Sequence, residues 1–298
     1  MTVATSPEAG SVYGVVRVCA AFGVPRSSFY AWRGDDALQG PAEPTGRRGP
    51  KPKVTDADLL VEIRDDLATT PFQGEGHRKV WARLRVLRGV RVSRKRALRV
   101  MRENHLLSPH RVRQGAAKTH DGTIMTDAPN VMWGTDGTKV FTVNDGWVWV
   151  FCVVEHWNAE CLGWHVCKVG DRFNALQPVG MAVKEVFGAV CRDIARGVAL
   201  RMDHGSQYLS DHFLNQIRYW GLASSFAFVE EPQTNGVAER FNRTLKEQAI
   251  HGRVFHDLEQ VRAAVRVFVT NYNEHWRIEK LGFRTPAQAR RDWMQEAA

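Results

Sequence analysis

Apolar residues recur every three to four positions through the first hundred residues. Beyond residue 129 they alternate or run together, so the chain reads as helices first and a mixed α/β arrangement afterwards. Val15, Val18, Cys19 and Phe22 form one helical stripe that Gly23 ends. Pro25 then opens a second short helix carrying Arg26, Ser27, Ser28 and Tyr30. Two helices across a glycine turn have the helix-turn-helix shape, although a purely structural hairpin would have the same pattern. Residues 34–54 are rich in Gly and Pro and poor in apolar positions, which is linker composition. Thr55 is placed to cap a helix bearing Leu59, Leu60, Ile63 and Leu67, and a second helix at about 77–88 aligns Val80, Trp81, Leu84 and Leu87. Gly89 breaks that helix and Ser93 can cap a third. There Ala97, Leu98 and Met101 turn inward and leave Arg94, Lys95, Arg99 and Arg102 outside, the arrangement of a DNA-recognition helix.

The later pattern predicts a hairpin of KVFTV and WVWVFCVV across Asn144-Asp145-Gly146, with CLGWHVCKV as a third strand. A helix over 174–191, a strand at ALRMD, a helix over 210–220 and a strand at ASSFAF follow. Helices at about 237–250 and 257–273 close the chain. Trp133, Trp147, Trp149 and Trp164 are expected in the core of the strand layer. The resulting divisions are a helix-turn-helix-like segment (1–40), a linker (41–54), a helix-turn-helix DNA-binding domain (55–118), a second linker (119–128) and an α/β domain (129–298).

The longest apolar run, Trp147 to Val154, is eight residues, far short of a membrane span. MTVATSPEAG lacks a signal-peptide core, and five cysteines without a C-x-x-C pattern argue against a disulfide framework or a structural zinc site. A cytoplasmic globular protein is expected. Charge sharpens this picture. The net charge is +9, and all of that excess lies in residues 1–128. Within residues 76–118, 14 basic side chains face a single acid, Glu103. A block of that density suits a polyanion, because neutralised phosphates release condensed counterions.

Three acids stand at element ends. Asp136 lies in the first strand, Asp203 ends the fourth, and Glu239 begins a helix, with 35 residues between the last two. Asp211 and Glu247 have the same spacing, but Ser210-Asp211 looks like a helix cap and Glu247 like charged surface. Three converging carboxylates repel unless a cation neutralises them, and all-oxygen donors suit Mg²⁺ or Mn²⁺. Two such ions about 3.5–4 Å apart clamp the attacking and leaving oxygens of a phosphoryl displacement. On the Glu239 helix, Arg243 and Lys246 share the face of Glu239, while Val237, Phe241 and Leu245 lie opposite. His204, Gln207 and Tyr208 adjoin Asp203. Trp276 and Arg277 are open to either a packing or a DNA role.

TDGT, MDHGSQY and TNGVAERFNRTLKE resemble the three catalytic blocks of bacterial insertion-sequence transposases, specifically the OrfB product of the insertion-sequence-three family. VCAAFGVPRSSFYAWR, GHRKVWARLRVLRGVRVSRKRALRVMRENHL, APNVMWGTD and NYNEHWRIEKLGFRTP extend the resemblance through nearly the whole chain. It departs at Gly137, at His204 where Arg is common, and at Asn235-Gly236, which are closer to the integrases. The resemblance implies a ribonuclease-H-like, mixed five-stranded sheet with flanking helices, preceded by all-α helix-turn-helix units. It also implies a catalytic, metal-binding triad of Asp136, Asp203 and Glu239, served by two Mg²⁺ or Mn²⁺ ions. Lys246 is implied to contact DNA near the transposon end. The partners implied are double-stranded DNA (inverted-repeat ends and target), further copies of the chain, and an upstream OrfA product. The function that follows is DNA strand cleavage at transposon ends and 3′-OH strand transfer. Its rivals are a DNA-binding regulator with a non-catalytic oligomerisation domain, and a ribonuclease-H-type nuclease acting on hybrids.

Overall fold

Capping residues set where the helices begin, and the computed structural model, which describes residues 4–36, 53–108, 126–226 and 235–296, places most of them where the pattern does. The chain divides into two units, Met1–Lys53 and Val54–Ala298. In the first, α1 (Val15–Ala21) and α2 (Arg26–Asp36) flank Gly23, whose φ of +61° makes the turn. Cys19 is buried there, whereas Val16, Phe22, Tyr30 and Trp32 are exposed. Of the linkers expected at 41–54 and 119–128, only residues 53–54 and 126–128 are among the described residues.

The second unit opens with three helices, α3 (Asp56–Thr69), α4 (His77–Leu87) and α5 (Arg94–Glu103). Thr55 and Asp58 form a reciprocal capping box on α3, and Ser93 Oγ accepts from Arg96 N at 3.2 Å to cap α5. Leu59, Ile63, Val80, Leu84, Val100 and Met101 make their common core. Beside it a buried Arg83 binds Asp66 through two parallel hydrogen bonds, Nε to Oδ1 at 3.0 Å and Nη2 to Oδ2 at 2.8 Å, and also binds Glu75.

The sheet comprises β1 (Met132–Thr142), β2 (Gly146–Glu155), β3 (Cys161–Cys167), β4 (Ala199–Met202) and β5 (Ala223–Phe226) in the order β3-β2-β1-β4-β5. The first three strands are antiparallel; β4 and β5 run parallel to β1 and to each other. Alternation along β1 and β2 sends one set of side chains to each face. Trp133, Phe151 and Val153 pack under α6 (Arg172–Phe187), α7 (Ser206–Leu209) and α8 (Asp211–Tyr219). Val140, Val150, Cys152 and Val154 pack under α9 (Gly236–Leu245) and α10 (Leu258–His275). Gly163 lets α6 approach β3 closely: a Cβ there would stand 2.1 Å from the Pro178 carbonyl oxygen. This is the mixed five-stranded sheet with flanking helices, and the fold class holds.

Three local expectations are corrected. The chain does not close with the helix at 257–273, because α11 (Pro286–Glu296) follows, with Thr285 Oγ1 accepting from Gln288 N and Pro286 in the first helical position. α6 stops at Gly188, whose φ of +78° supplies the left-handed cap, rather than running to 191. Trp147 is 60% exposed, edge-on to Phe141 beside the turn of the hairpin, while Trp133 is fully buried and Trp149 and Trp164 pack against the two cores.

Candidate catalytic centre and DNA-facing cations

Asp136 sits in the middle of β1 on the face covered by α9, directly opposite Cys152 of β2. β4 pairs with β1 as far as Gly134 opposite Arg201; continued by two residues, that register sets Asp203 opposite Asp136. Glu239 lies in the first turn of α9, where the helix dipole favours a carboxylate. A cavity of about 290 Å³ is lined by Asp136 and Glu239 together with Arg243, Lys246, Asn242 and His251, among others. Asp203 is not part of that lining, but its charge reaches Asp136.

The electrostatics tie the three acids together. Burial raises the pKa of Asp136, hydrogen bonds from Asn242 and the Gly137 amide oppose the rise, Asp203 adds to it, and Lys246 counters. Glu239 is raised by burial and then by Asp136, with Arg243 opposing. None of the three is in a salt bridge with another described residue. Their carboxylates therefore offer hard oxygen donors whose mutual repulsion only a cation would relieve, and this donor chemistry fits magnesium or manganese. Among the described residues, however, no three His, Cys, Asp or Glu side chains stand close enough together to hold a metal ion as placed.

Two residues that sequence reasoning passed over hold the site. Asn242 donates from Nδ2 to Asp136 Oδ2 at 2.8 Å, and Asn235 donates from Nδ2 to the Thr135 carbonyl at 3.0 Å. Both asparagines are buried. Their signal was present in the sequence, since Asn235, Glu239, Asn242 and Lys246 follow at i, i+4, i+7 and i+11, and a polar amide beside the packing residues Phe241 and Leu245 must find a partner. At the Asp203 turn, Oδ1 accepts from Gly205 N at 2.9 Å, and a Cβ on Gly205 would stand 2.4 Å from the Gln207 amide nitrogen. His204 is exposed beside Phe226, and Tyr208 is buried beneath the turn.

The cations predicted for DNA divide into two groups. Arg243 and Lys246 line the cavity with the acids. On α5, Lys95 and Arg102 are exposed and make no ion pair with another described residue. Arg94 instead pairs with Glu279 at 3.0 Å, and Arg99 pairs with Asp56 at 2.6 Å and Glu103 at 2.9 Å. Glu279 also binds Arg78 at 2.8 Å. Around it the helical subunit packs on the C-terminal segment, with Phe72 edge-on to Trp276, Trp81 edge-on to Phe283, and Lys79 over the Trp276 ring. Trp276 is thus a packing residue, and Arg277 donates to the Phe283 carbonyl at 3.0 Å.

Residues 221–286 match the integrase core domain family. The chain is 30% identical over 241 residues to the transposase InsD of insertion element IS2 of Escherichia coli, covering 78% of each. It is 28% identical over 296 residues to an uncharacterized 48.2 kDa protein of insertion element IS2A of Escherichia coli, covering 96% of this chain and 66% of that protein's length. Among solved structures, the catalytic core domain of BIV integrase aligns with 19% identity and a TM-score of 0.40, covering 56% of this chain and 99% of that one. No helix among the described residues is long and apolar enough to cross a membrane.

Proposed function

The chain belongs to the transposases of insertion elements, polynucleotidyl transferases with an integrase core domain, and from that premise we propose that it cuts a DNA strand at the ends of its element and joins the freed 3′-OH to a second phosphodiester. The observation that carries the reading is the cavity in which Asp136 and Glu239 meet Arg243 and Lys246, with Asp203 in electrostatic reach. In this reading the three carboxylates are the catalytic triad and would hold two Mg²⁺ or Mn²⁺ ions. Those ions, when bound, stabilise charge on the attacking and leaving oxygens.

The chain's own groups do the rest. Asn242 keeps the Asp136 carboxylate turned toward the cavity through its 2.8 Å bond. Arg243 and Lys246 bind the phosphates flanking the scissile bond and offset the charge of the strand. Water or a DNA 3′-OH serves as nucleophile at the same position, so cleavage and joining need one site. The exposed Lys95 and Arg102, with Arg94 and Arg99, grip the duplex of the inverted-repeat end. Copies of the chain assemble on DNA in the cytoplasm, with an upstream OrfA product as a further partner.

Mg²⁺-dependent nicking and strand transfer on duplexes carrying the element ends, with and without the OrfA product, test the reading. Asp136→Ala, Asp203→Ala and Glu239→Ala are each expected to abolish both reactions while DNA binding persists. Full metal-dependent cleavage in all three overturns it, and binding without any cleavage by the unaltered chain points to a regulator.

A further inference from the structure

We propose that Gln248 is a positioning residue. It holds the helical subunit, which grips the duplex, against the helix of Glu239 and Lys246, and so sets which phosphodiester of a bound element end reaches the acids. The proposal rests on reading Asp136, Asp203 and Glu239 as one catalytic centre.

Beyond Leu245, α9 runs straight into a π-helical turn, Lys246–Ile250, closed by His251 N donating to the Lys246 carbonyl at 2.7 Å. Lys246 lines the cavity with Asp136 and Glu239. Gln248 is two residues on, and side chains at that spacing leave a helix on different sides. It meets the loop between α3 and α4 in a reciprocal pair of hydrogen bonds. Gln73 N donates to Gln248 Oε1 at 2.9 Å, and Gln248 Nε2 donates to the Gln73 carbonyl at 2.9 Å. Ala249 and Phe72, the chain neighbours of Gln248 and Gln73, are buried in one core with Phe241 and Leu245 of α9.

The loop that carries Gln73 is tied in turn to the helices on either side of it. Glu75 Oε2 accepts from Thr70 Oγ1 at 3.0 Å, and Glu75 binds Arg83 of α4, which also holds Asp66 of α3. α5, with Lys95 and Arg102 exposed, packs on both helices through Val100 and Met101. A duplex held by α5 is thereby fixed to the loop, and the loop to the end of α9. Glu279 also joins the two parts, through Arg78 and Arg94. Phosphates compete with a carboxylate for those arginines, but not with two amides that carry no charge. The Gln248 clasp is therefore a polar tie that survives when DNA arrives.

Position converts into rate because the acids act only on a phosphodiester brought to them in the right geometry. Without the clasp α5 still binds, but the bound duplex shifts against the acids.

The test uses the full chain, a labelled duplex carrying the element end, and a plasmid without that end. Gln248→Met keeps the length of the side chain and removes both bonds. Its kcat for Mg²⁺-dependent nicking of the end is expected to fall about tenfold or more, the scale of a small misplacement. Its cuts should spread from one phosphodiester to the neighbouring ones, while affinity for the end and KM stay within about twofold. Mn²⁺-supported nicking of the plasmid, whose position the helical subunit does not choose, should match that of the unaltered chain. Gln73→Ala should behave as the unaltered chain on both substrates, because only the backbone of Gln73 is used. Full kcat at a single position in Gln248→Met overturns the proposal. So does an equal loss on plasmid and end, which would mean damage to α9 itself, or a loss confined to KM. If Asp136→Asn, Asp203→Asn and Glu239→Gln themselves keep full cleavage, the reading of the catalytic centre fails and the role of Gln248 falls with it. If those three are inactive while Gln248→Met cuts as the unaltered chain does, only the positioning role fails.

Discussion

Asn242 donates its side-chain amide to the Asp136 carboxylate at 2.8 Å, bridging helix α9 and strand β1 across 106 residues of sequence. The bond orients Asp136 but does not neutralise it: an amide carries no charge, the Asn242 carbonyl oxygen is buried without a partner among the described residues, and burial raises the pKa of Asp136. A carboxyl whose pKa is higher folded than unfolded has its charged form penalised in the folded state, so at neutral pH it subtracts from stability. Asp136→Asn is therefore expected to abolish cleavage, keep DNA binding and raise the melting temperature at pH 7. Thermal unfolding of the two proteins side by side checks this, and a lower melting temperature for the variant refutes the electrostatic part of the account.

Gly134 faces α9 with no side chain, and an added Cβ would stand 2.9 Å from Asn235 Oδ1 and 3.0 Å from His156 Nε2. Both neighbours are buried, so neither can move into solvent. Gly134→Ala is expected to push back the start of α9, and Glu239 with it, lowering cleavage about tenfold or more while circular dichroism stays unchanged. Gly76→Ala is the control, because nothing lies within 4 Å of a Cβ at that position. Equal activity of the two variants would remove Gly134 from the account of the site.

The parts of this molecule that obey local rules were legible in the sequence. The stripe of Leu59, Ile63, Val80 and Leu84, the caps at Thr55 and Ser93, and the alternation through Val148, Val150 and Cys152 each depend on neighbours a few residues away. α11 was equally legible from Thr285-Pro286 and was passed over. Trp147 was misplaced because alternation predicts a face and not its depth, and the end of a hairpin lies beyond the helices that cover its middle. The three acids were singled out by position and resemblance, but Asn242 and Asn235 were not: their helical spacing with Glu239 sets them on its face, yet it does not name partners about a hundred residues away. For the same reason Arg94 and Arg99 read as free cations, although folding brings Glu279 to one and Asp56 to the other.

Arg83 is buried with Asp66 and Glu75 and is their shared counter-charge within the helical subunit. Removing it leaves the buried Asp66 without its cation and Glu75 with Lys79 alone at 3.6 Å, and breaking a buried pair in this way costs about 3–5 kcal/mol. Arg83→Met keeps most of the volume and is expected to lose stability on that scale in urea unfolding. A change below about 1 kcal/mol would mean that water reaches the two acids and that the pair is not what holds α3 to α4.

Glu279 engages Arg78 and Arg94 at once, with all three side chains about half exposed. Exposed pairs of this kind are worth at most about 1 kcal/mol each, so DNA phosphates can displace the carboxylate. Glu279→Gln is expected to tighten duplex binding a few-fold and steepen its dependence on salt. Lys95→Ala and Arg102→Ala should each weaken binding and lower the salt slope by about 0.9, the value for one lost phosphate contact. Titrations at several salt concentrations measure both effects. If Glu279→Gln binds no more tightly, Arg78 and Arg94 do not face the duplex.

His156 is 2% exposed, and neither ring nitrogen has a hydrogen-bond partner among the described residues. Burial, and then the charges of Lys280 and Arg201, lower its pKa from 6.5 to about 4. The unfolded chain therefore binds a proton at this residue through a pH range in which the folded chain does not, so the folded state loses stability as pH falls from 6.5 toward 4. At about 1.36 kcal/mol per unit of pKa difference, the loss across that window is about 3 kcal/mol. Below pH 4 both states are protonated and the contribution levels off. His156→Gln has no proton to gain, so its unfolding free energy should be flatter than that of the unaltered chain between pH 6.5 and 4, with the difference accumulating inside that window. Urea unfolding at half-unit pH steps reads the two slopes, and parallel curves would mean that the imidazole reaches water or finds an acceptor when it takes up its proton.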